Sequence, residues 1–162
     1  MRFTVDQHLH GAPGEVARAY ADPDLYLSFQ GLPKMLRPEV LAHEASQDEV
    51  RLKIRYRFAG HLSSAARAVL DPSRLTWVED AVHDLTSLTT TFRMIPDHYG
   101  DRFSCSGSYS FEADGAGTRR HCEGVIKVRA PLVGGAVENA IVSGLREHLA
   151  AEVAAVDAFL GV

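Results

Sequence analysis

Residues 136–160 read AVENAIVSGLREHLAAEVAAVDAFL. Within them Val137, Ile141, Leu145, Leu149, Val153, Val156 and Leu160 recur three or four positions apart, the spacing of one face of an α-helix. Pro131 and Gly134-Gly135 precede the run and Gly161 closes it, as helix start and stop signals do. At about 1.5 Å per residue such a helix is close to 40 Å long. Removing its apolar face from water is worth roughly 10 to 20 kcal/mol before the loss of chain entropy, an upper bound because unfolded chains are already partly compact. Ala140, Gly144, Ala151, Ala155 and Ala158 widen the non-polar arc beyond a surface stripe. A helix this apolar needs a sheet to cover it. Its small-residue flank permits close approach by that sheet or by a second copy, so a homodimer is compatible with the sequence.

The covering sheet is legible upstream. Between residues 37 and 130 the apolar period changes to that of strands. In residues 50–58, Val50, Leu52, Ile54, Tyr56 and Phe58 alternate without error against Arg51, Lys53, Arg55 and Arg57, giving one core face and one wet face. A strand over 38–46 joins this one through a turn at Gln47-Asp48. Further strands are expected over 74–81, 85–95, 102–112 and 118–129, with Asp114-Gly115-Ala116-Gly117 as a hairpin turn. Phe3, Val5 and Leu9 alternate with Thr4, Asp6 and His8 in an opening strand. Two short helices follow it, one started by Ala12-Pro13 and the other by Asp22-Pro23 and ended by Gly31 and Pro33. Residues 62–70 are alanine-rich and read as a short helix. Seven strands with short connections imply antiparallel neighbours, hence an α+β fold rather than a doubly wound parallel sheet.

Composition sets outer bounds. The chain has 162 residues, 46% of them hydrophobic and 23% charged, with a formal net charge of -4. That suits one domain over residues 1–162 with one sizeable core. The charge balance argues against nucleic acid as a partner. The stretch Met1-Arg2-Phe3-Thr4-Val5-Asp6 has an acid where a signal peptide needs apolar residues, and no window approaches the roughly 18 apolar residues of an integral membrane segment. The expectation is a cytoplasmic protein. Cys105 and Cys122 fit no metal spacing, and neither a cofactor nor a metal is expected.

The opening strand, the alternation from Leu52 to Phe58, the stretch Leu75-Thr76-Trp77-Val78-Glu79 and the helix entrance Pro131-Leu132-Val133-Gly134-Gly135-Ala136-Val137-Glu138 together resemble the START-like (SRPBCC) superfamily, in particular an uncharacterised bacterial branch of it. The resemblance covers Phe3 to Leu160. It implies the helix-grip fold: a curved seven-stranded antiparallel sheet wrapped around a long C-terminal helix, with two short helices after the first strand. This superfamily includes polyketide cyclases/aromatases and lipid-transfer domains, and its members share a cavity between sheet and helix but no single catalytic set. Fold therefore implies a pocket and stops there.

The strand phases nominate Tyr56, Phe58, Trp77, Tyr109, Phe111, Ile126, Ile141 and Leu145 as cavity lining. Aromatic side chains at such positions are first a core and only then a binding site. Glu138 and Glu152, fourteen residues apart with Leu145 midway, share one helix face and lie within the apolar arc. Either is a candidate ligand anchor or general acid/base, although roughly 21 Å of helix keeps them from acting on one bond. A structural role is the competing reading: Glu138 beside a helix N-terminus, Glu152 paired with a strand arginine. His148 borders the same arc, as a cavity residue or as a hydrogen-bonded core histidine.

His8 and His10 share a strand face about 6.8 Å apart, but no third ligand is near and exposure is the better reading. Both cysteines should point inward. The hairpin at Gly115-Ala116 sets Cys122 opposite a residue near Tyr109 and leaves Cys105 roughly 13 Å further along, so buried free thiols are expected. The row Arg51, Lys53, Arg55, Arg57 reads as a solvated face with acidic cross-strand neighbours rather than a phosphate or membrane contact.

Three functions follow from this reading: a binding or carrier domain for a small lipophilic molecule, a cyclase/aromatase-like enzyme using Tyr56, Tyr109, Glu138 or Glu152 for proton transfer, or a protein-interaction domain with a collapsed cavity.

Overall fold

The computed structural model describes residues 1–162. Its strands are β1 (Arg2–Leu9), β2 (Glu39–Ala45), β3 (Glu49–Arg57), β4 (Thr76–Asp84), β5 (Thr89–Pro96), β6 (Phe103–Asp114) and β7 (Gly117–Val128). Its helices are α1 (Pro13–Tyr20), α2 (Pro23–Ser28), the one-turn α3 (Ser64–Arg67) and α4 (Gly134–Leu160). All strands form one antiparallel sheet in the order β1-β7-β6-β5-β4-β3-β2. Strands β2 to β7 are a meander, while α1 and α2 carry the chain from one edge of the sheet to the other. This is the helix-grip arrangement implied by the resemblance.

Period-two burial runs through β1, where Phe3, Val5, Gln7 and Leu9 face inward, and through β3, where Val50, Leu52, Ile54 and Tyr56 do so. On the wet face of β3, Lys53 lies opposite Asp80, Arg51 opposite Glu44 and Arg55 opposite Glu39. The β6–β7 hairpin turns at Gly115, whose φ of 59° is the left-handed conformation such turns use. One turn lies about three residues later than the residue pattern suggests. The Asp84 carboxylate accepts hydrogen bonds from the backbone N–H groups of Thr86 and Ser87 at 2.9 and 3.0 Å, so β4 continues to Asp84 and β5 starts only at Thr89.

In α4, Val137, Leu149 and Val156 of the apolar stripe are buried and Ile141, Leu145, Val153 and Leu160 are half-buried. The helix ends at Gly161, in the left-handed conformation at φ 72°. It packs most closely on β1 and β7, with α1 and α2 against it, and stands off from β3, β4 and β5. That asymmetry opens a space between helix and sheet. No helix is long and apolar enough to cross a membrane.

Candidate functional site: a cavity with a charged end

The space between α4 and the concave face of the sheet is a cavity of about 390 Å³, within the size range of small-molecule sites. Most of its lining is hydrophobic. Tyr56 and Trp77, opposite each other on β3 and β4, stack with ring centroids 6.0 Å apart. Phe58, Tyr109, Ile126, Ile141, Leu145, His148 and Glu152 also border the space. The exposed members of the lining mark its mouth: His61, Ser63, Arg74, His98, Arg102, Ala140 and Ser143. All the charged groups among them are basic.

Two nominated residues lie elsewhere. Phe111 has the inward phase of Tyr109 but sits nearer the hairpin, under α1, where its ring packs 5.9 Å from that of Tyr20. Glu138 begins the second turn of α4, beside the end of β7. There the Val128 N–H has no strand partner, and the Glu138 carboxylate accepts it at 2.8 Å.

Glu152 is buried, 4% exposed, and has no arginine within ion-pair distance. Burial raises its pKa above the ordinary carboxylate value, opposed by the charge of Arg120 and by the nearby Tyr20 hydroxyl. Burial also lowers the pKa of His148, whose ring stands edge-on to Tyr56 at 6.4 Å and whose Nδ1 is buried without a partner. Burial pushes the hydroxyls of Tyr56 and Tyr109 well above the usual phenol range. Neither is suited to act as a base near neutral pH.

Three polar residues at the closed end escaped the sequence reading. Arg120, on β7, is 5% exposed, and its Cζ lies 3.6 Å from the ring centroids of both Tyr20 and Tyr109. Its Nη1 donates to Gln7 Oε1 at 2.6 Å. Gln7 is fixed in turn by donating from Nε2 to the Leu149 carbonyl at 2.6 Å. Glu79, on β4, borders the cavity and makes no hydrogen bond or ion pair. Its pKa is raised to about 7, first by burial and then by Glu152, against the pull of Arg120. A signal for each was present. Gln7 lies in the row of Phe3, Val5 and Leu9, Arg120 in that of Cys122 and Ile126, and Glu79 in that of Trp77.

The remaining titratable candidates are structural. His8 and His10 are exposed and turn to different carboxylates, Asp114 at 2.8 Å and Asp157 at 2.7 Å. Cys122 lies opposite Tyr109 and Cys105 opposite Ile126; both thiols are free and buried, and burial raises their pKa values to about 11 and about 12. No three His, Cys, Asp or Glu side chains are grouped closely enough to hold a metal ion.

Among solved structures, the chain is similar to TTHA0849 from Thermus thermophilus, with 18% identity, 97% of this chain and 94% of that one covered, and a TM-score of 0.69. It is also similar to the Zhui aromatase/cyclase from Streptomyces sp. R1128, with 14% identity, coverage of 99% and 93%, and a TM-score of 0.67. A third similar structure is Ara h 8.0201, with 12% identity, coverage of 99% and 97%, and a TM-score of 0.62. At these identities the likeness establishes the fold. Comparison with curated proteins gives no match. The profile of one family, described as "Protein of unknown function (DUF2505)", matches residues 4–160. Its sheet and terminal helix share the helix-grip fold of these structures, and the chain belongs to the DUF2505 family.

Proposed function

We propose that this protein binds or carries a small lipophilic molecule held between the sheet and α4. The observation that carries the reading is the apolar cavity of about 390 Å³, with its mouth between the 61–74 segment, the 98–102 turn and the first half of α4. A collapsed core would have left no such space, which counts against a purely protein-binding role. Tyr56, Phe58, Trp77, Ile126, Ile141 and Leu145 supply the walls, and burial of ligand apolar area at roughly 25 cal/mol per Å² drives binding. Organic extraction of the purified protein followed by mass spectrometry should release a bound apolar compound. Leu145→Trp, which fills the space from the helix side, should lose that compound while melting within a few degrees of the parent protein. Repeated extraction without any ligand would count against the reading.

A second reading, proton-transfer chemistry of the cyclase type, is favoured by one observation: Glu79 borders the cavity with a pKa of about 7, the range in which a carboxyl both gives and takes a proton at neutral pH. Of the candidates nominated from sequence, Glu152 remains beside it, whereas Glu138 is engaged with the backbone at the end of β7. Glu79→Gln should then abolish turnover of a reactive substrate but leave its binding intact, and unchanged turnover would remove this role.

A further inference from the structure

Arg120 is held in an unusual way. A guanidinium carries five N–H donors, yet this one makes a single hydrogen bond, to an uncharged side chain. No carboxylate lies within ion-pair distance, and its Nε is buried without a partner. The faces of Tyr20 and Tyr109 stabilise the cation through their ring quadrupoles and leave its edge undersupplied with acceptors. Arginine does not lose its proton to relieve this. Gln7 is committed at both ends and so fixes the cation in place. Glu79 from β4 and Glu152 from α4 flank the same end of the cavity and interact with Arg120 through space without reaching it.

We propose, building on the ligand-binding reading above, that this closed end is a receptor for one neutral oxygen-bearing group at the leading end of the ligand, a ketone, phenol or alcohol. Arg120 is its fixed donor, and the Glu79 carboxyl is a second donor or acceptor. The preference for a neutral group follows from charge balance. One guanidinium and two carboxyls are together neutral when one carboxyl is ionised. A ligand carboxylate would bring a further negative charge into a desolvated site that already holds two acids, and could enter only with an additional proton. The apolar walls then select a flat or elongated hydrocarbon body behind the oxygen.

Calorimetric titration with three two-ring probes of similar shape tests this directly. In the parent protein 2-naphthol should bind more tightly than 2-methylnaphthalene by about tenfold to a hundredfold, the range for a hydrogen bond to a charged group, and 2-naphthoate should bind most weakly. Arg120→Met should abolish the advantage of 2-naphthol and leave 2-methylnaphthalene within about threefold of its parent affinity. Should that variant not fold, NMR of the parent protein serves instead: the Arg120 Nε–H signal should move on addition of 2-naphthol and stay in place with 2-methylnaphthalene. Equal affinities for the first two probes, tightest binding by 2-naphthoate, an undiminished preference in Arg120→Met or an unmoved Nε–H signal would each overturn the receptor alone. Failure of every probe to bind would remove the receptor together with the binding reading beneath it.

Discussion

Glu79 lies between Ile54 and Met94 across the sheet, with its carboxyl toward the cavity. Because its pKa is about 7 in the folded protein against an ordinary 4.5, the folded state keeps a proton that the unfolded chain releases. Stability from this group therefore falls as pH rises from about 4.5 through about 7, by up to about 3 kcal/mol. His83 acts in the opposite direction. Burial lowers its pKa to about 4 from 6.5, so the unfolded chain takes up a proton first and stability falls as pH drops below about 6.5. The two slopes partly cancel in the parent protein and are separated by difference. Urea denaturation should show Glu79→Gln gaining stability relative to the parent between pH 5 and pH 8; a constant difference across that range would mean that the carboxyl is ionised throughout. The inward positions of Glu79, Arg120 and Gln7 were available from the two-residue period, since each shares a row with apolar neighbours. What the period does not carry is which inward residues meet one another. That depends on α1 bringing Tyr20, and α4 bringing Glu152, over one end of the sheet.

At the scale of elements, β6 and β7 are joined by an opposed pair of glycines, Gly107 and Gly124. A Cβ on Gly107 would run into the Glu123 carbonyl and the Phe92 ring, and one on Gly124 into the ring of Phe3. These positions let the sheet bend closely around the aromatic rings of its concave face. Gly107→Ala should cost about 1 to 3 kcal/mol, the usual penalty of overpacking, read as a lowered denaturation midpoint with an unchanged slope; an unaffected midpoint would show that the backbone can yield there. The elements themselves were legible, because the alternation in β3 and the seven-residue stripe of α4 are each set by burial on one face. The β4–β5 boundary was less so. An Asp84 side chain accepting two backbone donors decides it, and that local chemistry leaves no trace in hydrophobic period. Phe111 shows a similar limit: its phase is inward like that of Tyr109, but position along the strand, not phase, separates a wall of the cavity from the packing beneath α1.

Across the whole molecule, the helix lies over one side of the sheet and leaves the other side to enclose space. The fold thereby divides labour between a packed end, where Val16, Leu25 and Val156 are fully buried, and an open end with a basic rim. The order of the strands has a kinetic side as well. Strands β2 to β7 are consecutive, so a nascent chain is free to zip them hairpin by hairpin from local contacts alone. The anchor of Arg120, however, is Gln7, 113 positions earlier, and one of its two stacking rings belongs to α1. A meander formed without the N-terminal segment would leave a cation stranded on a greasy surface. Such half-built species are penalised, and assembly is tied to the most distant pairing in the chain, β1 with β7. Apart from any minor proline-limited phase, refolding should be a single exponential on the millisecond-to-second scale of sheet-rich topologies. The same rate should appear in Trp77 fluorescence and in amide protection of β7; an early phase in Trp77 alone would show that the meander stands without its first strand.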